Sequence, residues 1–209
     1  MFKSVSAAAL LASSAFAGFH YDRMCQDPQV VQNFDKEAYT GLWFEQYKDI
    51  SCPYGTGNCD TAQYSIREDG NIRVRNNDYT EGVWTGTEGY AYPKDAEAND
   101  GFLQVQFPDY PTGDYRVIAT DYDNYSVVYG CTFVRFQMVA VEFVWILGRQ
   151  PYISEESLAE AKAAIARELP LYDFDTEMSR TTQGEDVCPY ATQPNALSQE
   201  QPLVQILLS

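Results

Sequence analysis

The sequence predicts an all-β protein, an eight-stranded antiparallel up-and-down β-barrel with one C-terminal α-helix packed outside it. Apolar and polar residues alternate in short segments from about residue 42 to residue 147, at hairpin spacing and without an intervening helix. The 16 tyrosines and 11 phenylalanines also favour strands. Eight antiparallel strands close best into a barrel, because closure removes exposed edges. A β-sandwich stays open as the alternative.

Residues 1–17 are predicted to be a secretory signal peptide rather than part of the fold. Lys3 gives a short positive start, residues 5–16 are apolar and rich in small side chains, and Ala15-Phe16-Ala17 is an A-x-A cleavage site. Gly18 is then the first mature residue, and the protein is expected to be secreted. No other stretch is long and apolar enough to span a membrane. The net charge of −16 argues against nucleic acid and anionic membranes as partners, because both would repel it.

The predicted strands follow one another between turns that the sequence marks clearly. After a short helical turn capped by Asp35, Gly41 opens the first strand, which runs to about Ile50 and leads into a loop that contains Cys52. Asp69-Gly70 is a typical hairpin turn. The other strands are predicted at about residues 61–67, 72–76, 83–92, 103–107, 115–120, 125–130 and 139–147.

The helix is predicted directly after the last of these strands. Ser154 is its N-cap, and Glu155 and Glu156 stand in the first turn, where the helix dipole favours acidic residues. Pro170 ends it. An apolar stripe would pack against the barrel, formed by Leu158, Ala161, Ile165 and Leu169. Residues 171–178 are predicted to add one further strand.

The interior of the barrel is the predicted ligand-binding site, because eight strands enclose enough space for one small ligand. Its expected lining is apolar and aromatic, with tyrosine hydroxyls as the few polar groups, which suits a fatty acid, sterol, retinoid or carotenoid-like ligand. The alternative is that these side chains fill the interior as a core. The predicted lining residues are Tyr64, Ile66, Val74, Leu103, Val105, Phe107, Tyr115, Val117, Tyr125, Val127, Tyr129, Phe143 and Trp145.

The cysteines point to disulfides rather than to a metal site. All five cysteines lie in the predicted mature chain, spread from one end to the other, as is typical of disulfides in secreted proteins. The odd number leaves one thiol over, or paired between chains. The sequence has no CxxC motif, and its single histidine, His20, lies at the start of the mature chain. No zinc or haem site and no cofactor are therefore predicted.

Three separated motifs together resemble the signature regions of the lipocalin family. Gly41-x-Trp43 opens the first strand, Thr120-Asp121-Tyr122-x-x-Tyr125 lies at the turn between the sixth and seventh strands, and Arg149 follows the eighth. The resemblance is greatest to the apolipoprotein D-like lipocalins, including those of insects and bacteria. It is also carried by Asn33-Phe34-Asp35, Trp145-Ile146-Leu147 and Asp186-Val187-Cys188-Pro189.

The resemblance implies a fold, a pairing of cysteines and a function. A lipocalin domain is expected over residues 18–189, with a disordered tail at 190–209, and Arg149 is expected to lie across the Trp43 ring at the closed end. Disulfides would join Cys25 to Cys131 and Cys59 to Cys188, leaving Cys52 over. A Cys52–Cys59 pair is the rival arrangement. The implied function is a secreted carrier of a small hydrophobic ligand.

Two other functions stay open from the sequence. Some lipocalins are enzymes, and Cys52 is the only candidate nucleophile here, although no histidine stands near it in the sequence. The protein could also be a secreted interaction protein, a monomer by expectation or a dimer joined through Cys52. Asn124-Tyr125-Ser126 is an N-glycosylation sequon on a predicted exposed turn.

Overall fold

The computed structural model describes residues 19–21, 23–53 and 58–194. The predicted signal peptide and residues 195–209 of the predicted tail lie outside the described residues.

Eight antiparallel strands form a closed barrel. Each barrel strand pairs with the next one along the chain, and the eighth then pairs back with the first through Phe44–Gly148 and Glu45–Leu147. This closure confirms the predicted barrel and excludes the sandwich. The strands are β1 (Phe19–His20), β2 (Gly41–Asp49), β3 (Asn58–Ile66), β4 (Ile72–Thr80), β5 (Val83–Pro93), β6 (Phe102–Gln106), β7 (Gly113–Thr120), β8 (Tyr125–Val134), β9 (Val139–Gly148) and β10 (Met178–Arg180).

The two ends of the barrel differ. We call the end at the start of β2 the floor; the turns at residues 67–71, 94–101 and 121–124 and Arg149 lie there. We call the opposite end the mouth; the connections β2–β3, β4–β5, β6–β7 and β8–β9 lie there. Gly41 has a φ of 96°, and a Cβ atom added to it would lie 3.2 Å from Arg149 Nη1. Glycine is therefore required at the floor for both reasons.

Two short strands extend the sheet near the mouth. β1 pairs with β9, and β10 pairs with the last residues of β2, Tyr47–Asp49. The strand predicted at residues 171–178 is wrong over most of its length. That stretch contains the one-turn helix α2 (Phe174–Glu177), because the Asp173 side chain caps it by accepting from Asp175 N. The strand begins only at Met178.

The long helix α1 (Glu155–Glu168) packs against the outside of the barrel. Ser154 is its N-cap and accepts a hydrogen bond from Ser157 N, as the sequence predicts. Ala161, Ile165 and Leu169 are at most 1% exposed and form an outer core with β7, β8 and β9. No helix within the described residues is long and apolar enough to cross a membrane.

Two disulfides fasten the terminal segments to the barrel. They join Cys25 to Cys131 and Cys59 to Cys188, the pairing that the resemblance implies and not the Cys52–Cys59 rival. Cys52 belongs to neither and is 7% exposed beside the mouth.

The described residues continue to residue 194, five residues into the segment that the sequence predicts to be a disordered tail. Residues Tyr190–Thr192 form a short 3₁₀ helix on the outside of the barrel. The Tyr190 ring lies 5.2 Å from the Phe44 ring and 6.4 Å from the Trp84 ring, measured between centroids. Gln193 also donates a hydrogen bond to Thr61 Oγ1 at 2.6 Å. The described part of this segment is therefore held against β2, β3 and β5.

Candidate ligand-binding site

The floor is closed by Arg149 and Trp43. The Arg149 guanidinium carbon lies 3.6 Å from the centre of the Trp43 ring, and Trp43 is fully buried. Arg149 also donates three hydrogen bonds to backbone carbonyls, to Tyr122 at 2.8 Å, Leu42 at 3.1 Å and Ala38 at 2.8 Å. The stacking that the resemblance implies is present, and the fork of the guanidinium ties three segments of the floor together.

The turn between β7 and β8 completes the floor. Asp121 accepts hydrogen bonds from the backbone N–H groups of Asn124 at 2.8 Å and Tyr125 at 3.0 Å. Burial alone would raise the pKa of Asp121, but these hydrogen bonds and one from the Asn124 side chain hold its pKa below the usual range. Thr120 Oγ1 donates to Tyr125 O and accepts from Tyr122 N. The signature residues at 120–122 are therefore turn-forming residues.

Above the floor, four hydroxyl groups form a connected network. Tyr39 Oη lies 2.8 Å from Ser126 Oγ and 3.0 Å from Tyr115 Oη, which lies 3.0 Å from Tyr64 Oη. Burial raises the pKa of Tyr39 to about 12 and raises the pKa values of Tyr64 and Tyr115 as well. All three phenols are therefore protonated at physiological pH and act as hydrogen-bond donors.

The middle of the barrel is apolar and aromatic. Eight of the predicted lining residues belong to the interior cluster or pack against it. Phe143 faces the same side as Trp145, two residues along β9, and their ring centroids are 5.9 Å apart. Phe143, Trp145 and several others keep exposed surface although they face inward. The eight residues are Tyr64, Val74, Leu103, Val105, Phe107, Tyr115, Val117 and Trp145.

Three charged groups lie together on the inner face nearer the mouth. Lys48 Nζ lies 3.1 Å from Glu45 Oε1 and 3.2 Å from Asp60 Oδ2, and Thr181 Oγ1 donates to Glu45 Oε1 at 2.6 Å. Burial and the nearby Glu45 raise the pKa of Asp60 to about 8, and burial also raises the pKa of Glu45. Two buried carboxyl groups thus share one ammonium group, which favours a retained proton on the pair.

The structure corrects the expected inward direction of three residues. Tyr125, Val127 and Tyr129 belong to the outer core under α1 and not to the interior, whereas Ser126 and Val128 point inward. Both faces of β8 are buried, so its alternation does not show which face is the inner one. The pairing of β7 with β8 also shifts by one residue between Val117 and Ala119, which the sequence does not reveal.

Ile66 does not line the middle of the barrel either. It pairs with Ile72 at the lower end of β3, past the level of Gly41, and is 40% exposed. The expected interior position for Ile66 is therefore wrong, because its strand continues beyond the floor.

Sequence reasoning predicted the hydroxyl groups of Tyr64 and Tyr115 in the interior but missed its other polar groups. Tyr39 precedes β2 and belongs to no strand, so no period places it inside the barrel. Glu45 and Lys48 are three residues apart, a spacing that puts strand residues on opposite faces. A register shift between Glu45 and Tyr47 brings them to one face, where they pair with Leu147 and Trp145.

Asn124 of the predicted sequon is exposed, and its side-chain amide donates to Asp121 Oδ2 at 2.7 Å. Ser126, the third residue of the sequon, is fully buried. Glycosylation of Asn124 stays a prediction.

The comparisons with known proteins all point to one family. The family model described as a lipocalin-like domain matches residues 34–181. The chain is 36% identical over 184 residues to apolipoprotein D of Mus musculus, covering 87% of this chain and 93% of that protein. It is 33% identical over 170 residues to the Lazarillo protein of Schistocerca americana, covering 79% of this chain and 76% of that protein. Insecticyanin from Manduca sexta shares the fold, with a TM-score of 0.72 at 23% identity, covering 82% and 92%.

Proposed function

The chain belongs to the lipocalin family, and on that basis we propose that it is a secreted carrier that binds one small hydrophobic ligand inside its barrel. Membership of the family supports binding of a small hydrophobic ligand. The ligand classes that suit the interior are a fatty acid, a sterol, a retinoid or a carotenoid-like molecule.

The exposed surface that inward-facing apolar side chains keep carries this proposal. Part of the interior cluster, including Trp43 and Val128, is as fully buried as the outer core under α1. The inward-facing Val105, Phe143 and Trp145 keep exposed surface, as expected of side chains that line an accessible space rather than a filled core. A ligand that removes about 200 Å² of apolar surface from water there would gain about 5 kcal/mol, before the cost of its immobilisation.

Secretion is supported by the predicted signal peptide and by the disulfides. Cys25–Cys131 and Cys59–Cys188 span 106 and 129 residues of the sequence, respectively. Such long-range bonds form and persist in oxidising compartments.

A carrier is favoured over an enzyme by the position of the groups that could act in catalysis. His20, the single histidine of the sequence, lies outside the barrel, 3.5 Å from Glu142 and 3.6 Å from Glu177. The side chain of His20 contacts these carboxyl groups and Arg23 rather than a thiol that it could activate as a base.

Quenching of Trp145 fluorescence tests the proposal. In a Trp84→Phe variant, Trp145 and the buried Trp43 are the remaining tryptophans. A polyene such as cis-parinaric acid should quench the emission with a micromolar dissociation constant, and Trp145→Phe in the same background should abolish most of the change. The absence of quenching, with no affinity better than millimolar for any of the four ligand classes, would contradict the proposal.

A further inference from the structure

We propose that the hydroxyl network of Tyr39, Tyr64, Tyr115 and Ser126 anchors an uncharged oxygen atom of the ligand. The ligand would then enter the barrel with an alcohol, ketone or aldehyde group leading. This inference rests on the proposed carrier function and adds to it both the direction of the ligand and the chemistry of its inner end.

The number of protons in the network is the first argument. The four hydroxyl groups are joined in a row, from Tyr64 through Tyr115 and Tyr39 to Ser126, by three O···O contacts. Each contact uses one O–H donor, whereas each hydroxyl group supplies one. Four donors serve three contacts, so one O–H group has no acceptor among the described residues. A buried donor without an acceptor costs about 1–3 kcal/mol, which a ligand oxygen or a water molecule would recover.

The position of Tyr115 is the second argument. Tyr39, Tyr64 and Ser126 are between 0% and 5% exposed, whereas Tyr115 is only partly buried. Tyr115 projects from β7 toward the interior, two residues from the fully buried Val117. Of the four hydroxyl groups, that of Tyr115 is therefore the one that a ligand entering from the mouth meets first. Its hydroxyl group has two neighbours in the network, and a hydroxyl group can take part in three hydrogen bonds.

The charges around the network decide what kind of oxygen fits. Among the described residues, the four hydroxyl groups hydrogen-bond to one another and to no charged side chain, although Arg149 acts on Tyr39 and Tyr64 electrostatically through space. Arg149, the cation at the floor, already directs its three nitrogens at the carbonyls of Tyr122, Leu42 and Ala38. The other inward-facing cation, Lys48, is already shared by two carboxyl groups. A carboxylate next to Tyr115 would therefore be buried without a cation of its own, at a cost of several kcal/mol. A neutral acceptor avoids that cost, so the network favours alcohols and ketones over fatty acid anions.

Three retinoids that differ at one end test the proposal. All-trans-retinol carries a hydroxyl group, anhydroretinol is a hydrocarbon, and retinoic acid is an anion at neutral pH. Quenching of Trp145 should show retinol binding about tenfold more tightly than anhydroretinol and more tightly than retinoic acid, as one buried hydrogen bond provides. Tyr115→Phe keeps the ring and removes only the hydroxyl group, so the preference for retinol should fall to about one. Tyr125→Phe removes a hydroxyl group from the outer face of β8 and should leave the preference for retinol unchanged.

The outcomes separate this inference from the carrier function. Equal affinities of wild-type protein for retinol and anhydroretinol would overturn the anchor but leave the carrier intact. An undiminished preference in Tyr115→Phe would also overturn it. Binding of none of the three retinoids, nor of any other hydrophobic probe, would overturn both proposals.

A vibrational measurement on unmodified protein covers the case in which Tyr115→Phe fails to fold. The carbonyl stretch of bound retinal should lie below its frequency in an alkane, because an O–H donor weakens the C=O bond. A stretch at the alkane frequency would show that no donor reaches the ligand oxygen, and the anchor would be wrong.

Discussion

Arg149 covers the Trp43 ring at 3.6 Å and joins the end of β9 to the start of β2. The same guanidinium donates to Ala38, Leu42 and Tyr122, so one side chain links three floor segments. A lysine at this position would keep the charge but lose the planar fork that makes the three hydrogen bonds.

We therefore expect Arg149→Lys to lower the free energy of unfolding by about 2–3 kcal/mol, through the lost stacking and the unpaired carbonyls. Urea denaturation followed by fluorescence measures this. Arg73→Lys is the matched control, since Arg73 is exposed on β4 and makes a 3.6 Å ion pair with Glu88. Its effect should stay within about 0.5 kcal/mol. Equal effects of the two substitutions would show that the floor does not depend on the fork.

The Cys59–Cys188 bond should hold the C-terminal segment against the outside of the barrel. Tyr190 packs between Phe44 and Trp84, and Thr192 Oγ1 accepts from Trp84 Nε1 at 3.3 Å. Replacing both cysteines by serine should cost about 2–4 kcal/mol of unfolding free energy. It should also shift Trp84 emission to the red as the segment leaves. Unchanged emission after loss of the disulfide would mean that packing alone holds the segment.

The sequence predicts most of the strands, turns and helix caps because each of them is encoded by neighbouring residues. Ser154 followed by acidic residues marks the start of α1, and Gly41 is required by its own backbone angle. Arg149 over Trp43 came from a resemblance between motifs and not from any periodicity, since the two residues meet only after the barrel closes. The cap of α1 and the glycine at residue 41 can therefore be predicted from single segments, whereas the contact between Arg149 and Trp43 cannot.

The binding interior is harder to predict because it depends on register. Val127 and Val128 are equally apolar and both fully buried, yet one faces α1 and the other faces the interior. Hydrophobicity cannot separate two buried faces. The inward position of Lys48 likewise depends on a register shift in β2, and the amino-acid types in that strand do not predict this shift. To predict which side chains face the interior, one must know how neighbouring strands pair.

The carboxyl group of Asp60 should make stability depend on pH. Its pKa rises from 3.8 to about 8 on folding, chiefly through burial and then through Glu45. Between these values the folded protein binds more protons than the unfolded chain, so this contribution to stability is present at low pH and is lost as the pH rises toward 8. Asp60→Asn removes that dependence. The stability of the variant relative to wild type should therefore increase from pH 5 to pH 8.5, by up to about 1.4 kcal/mol per pH unit.

Urea denaturation at pH 5, 6.5 and 8.5 measures this difference. Asp95→Asn, in the exposed loop between β5 and β6, is the control and should differ from wild type by a constant amount. A constant difference for Asp60→Asn as well would show that Asp60 is ionised throughout the range and that Lys48 fully compensates its burial.

Which face of the barrel sheet binds the ligand can be tested by measuring ligand affinity and unfolding free energy separately for one substitution on each face. Val127 is fully buried between β8 and α1, so Val127→Ala should cost about 1–3 kcal/mol of unfolding free energy and leave the affinity for cis-parinaric acid unchanged. Val105 is partly exposed on the inner face, where Val105→Trp would occupy ligand space. That substitution should weaken the affinity at least tenfold with a smaller effect on stability. The opposite pattern, in which Val127→Ala weakens binding and Val105→Trp does not, would mean that the ligand binds under the helix and not inside the barrel.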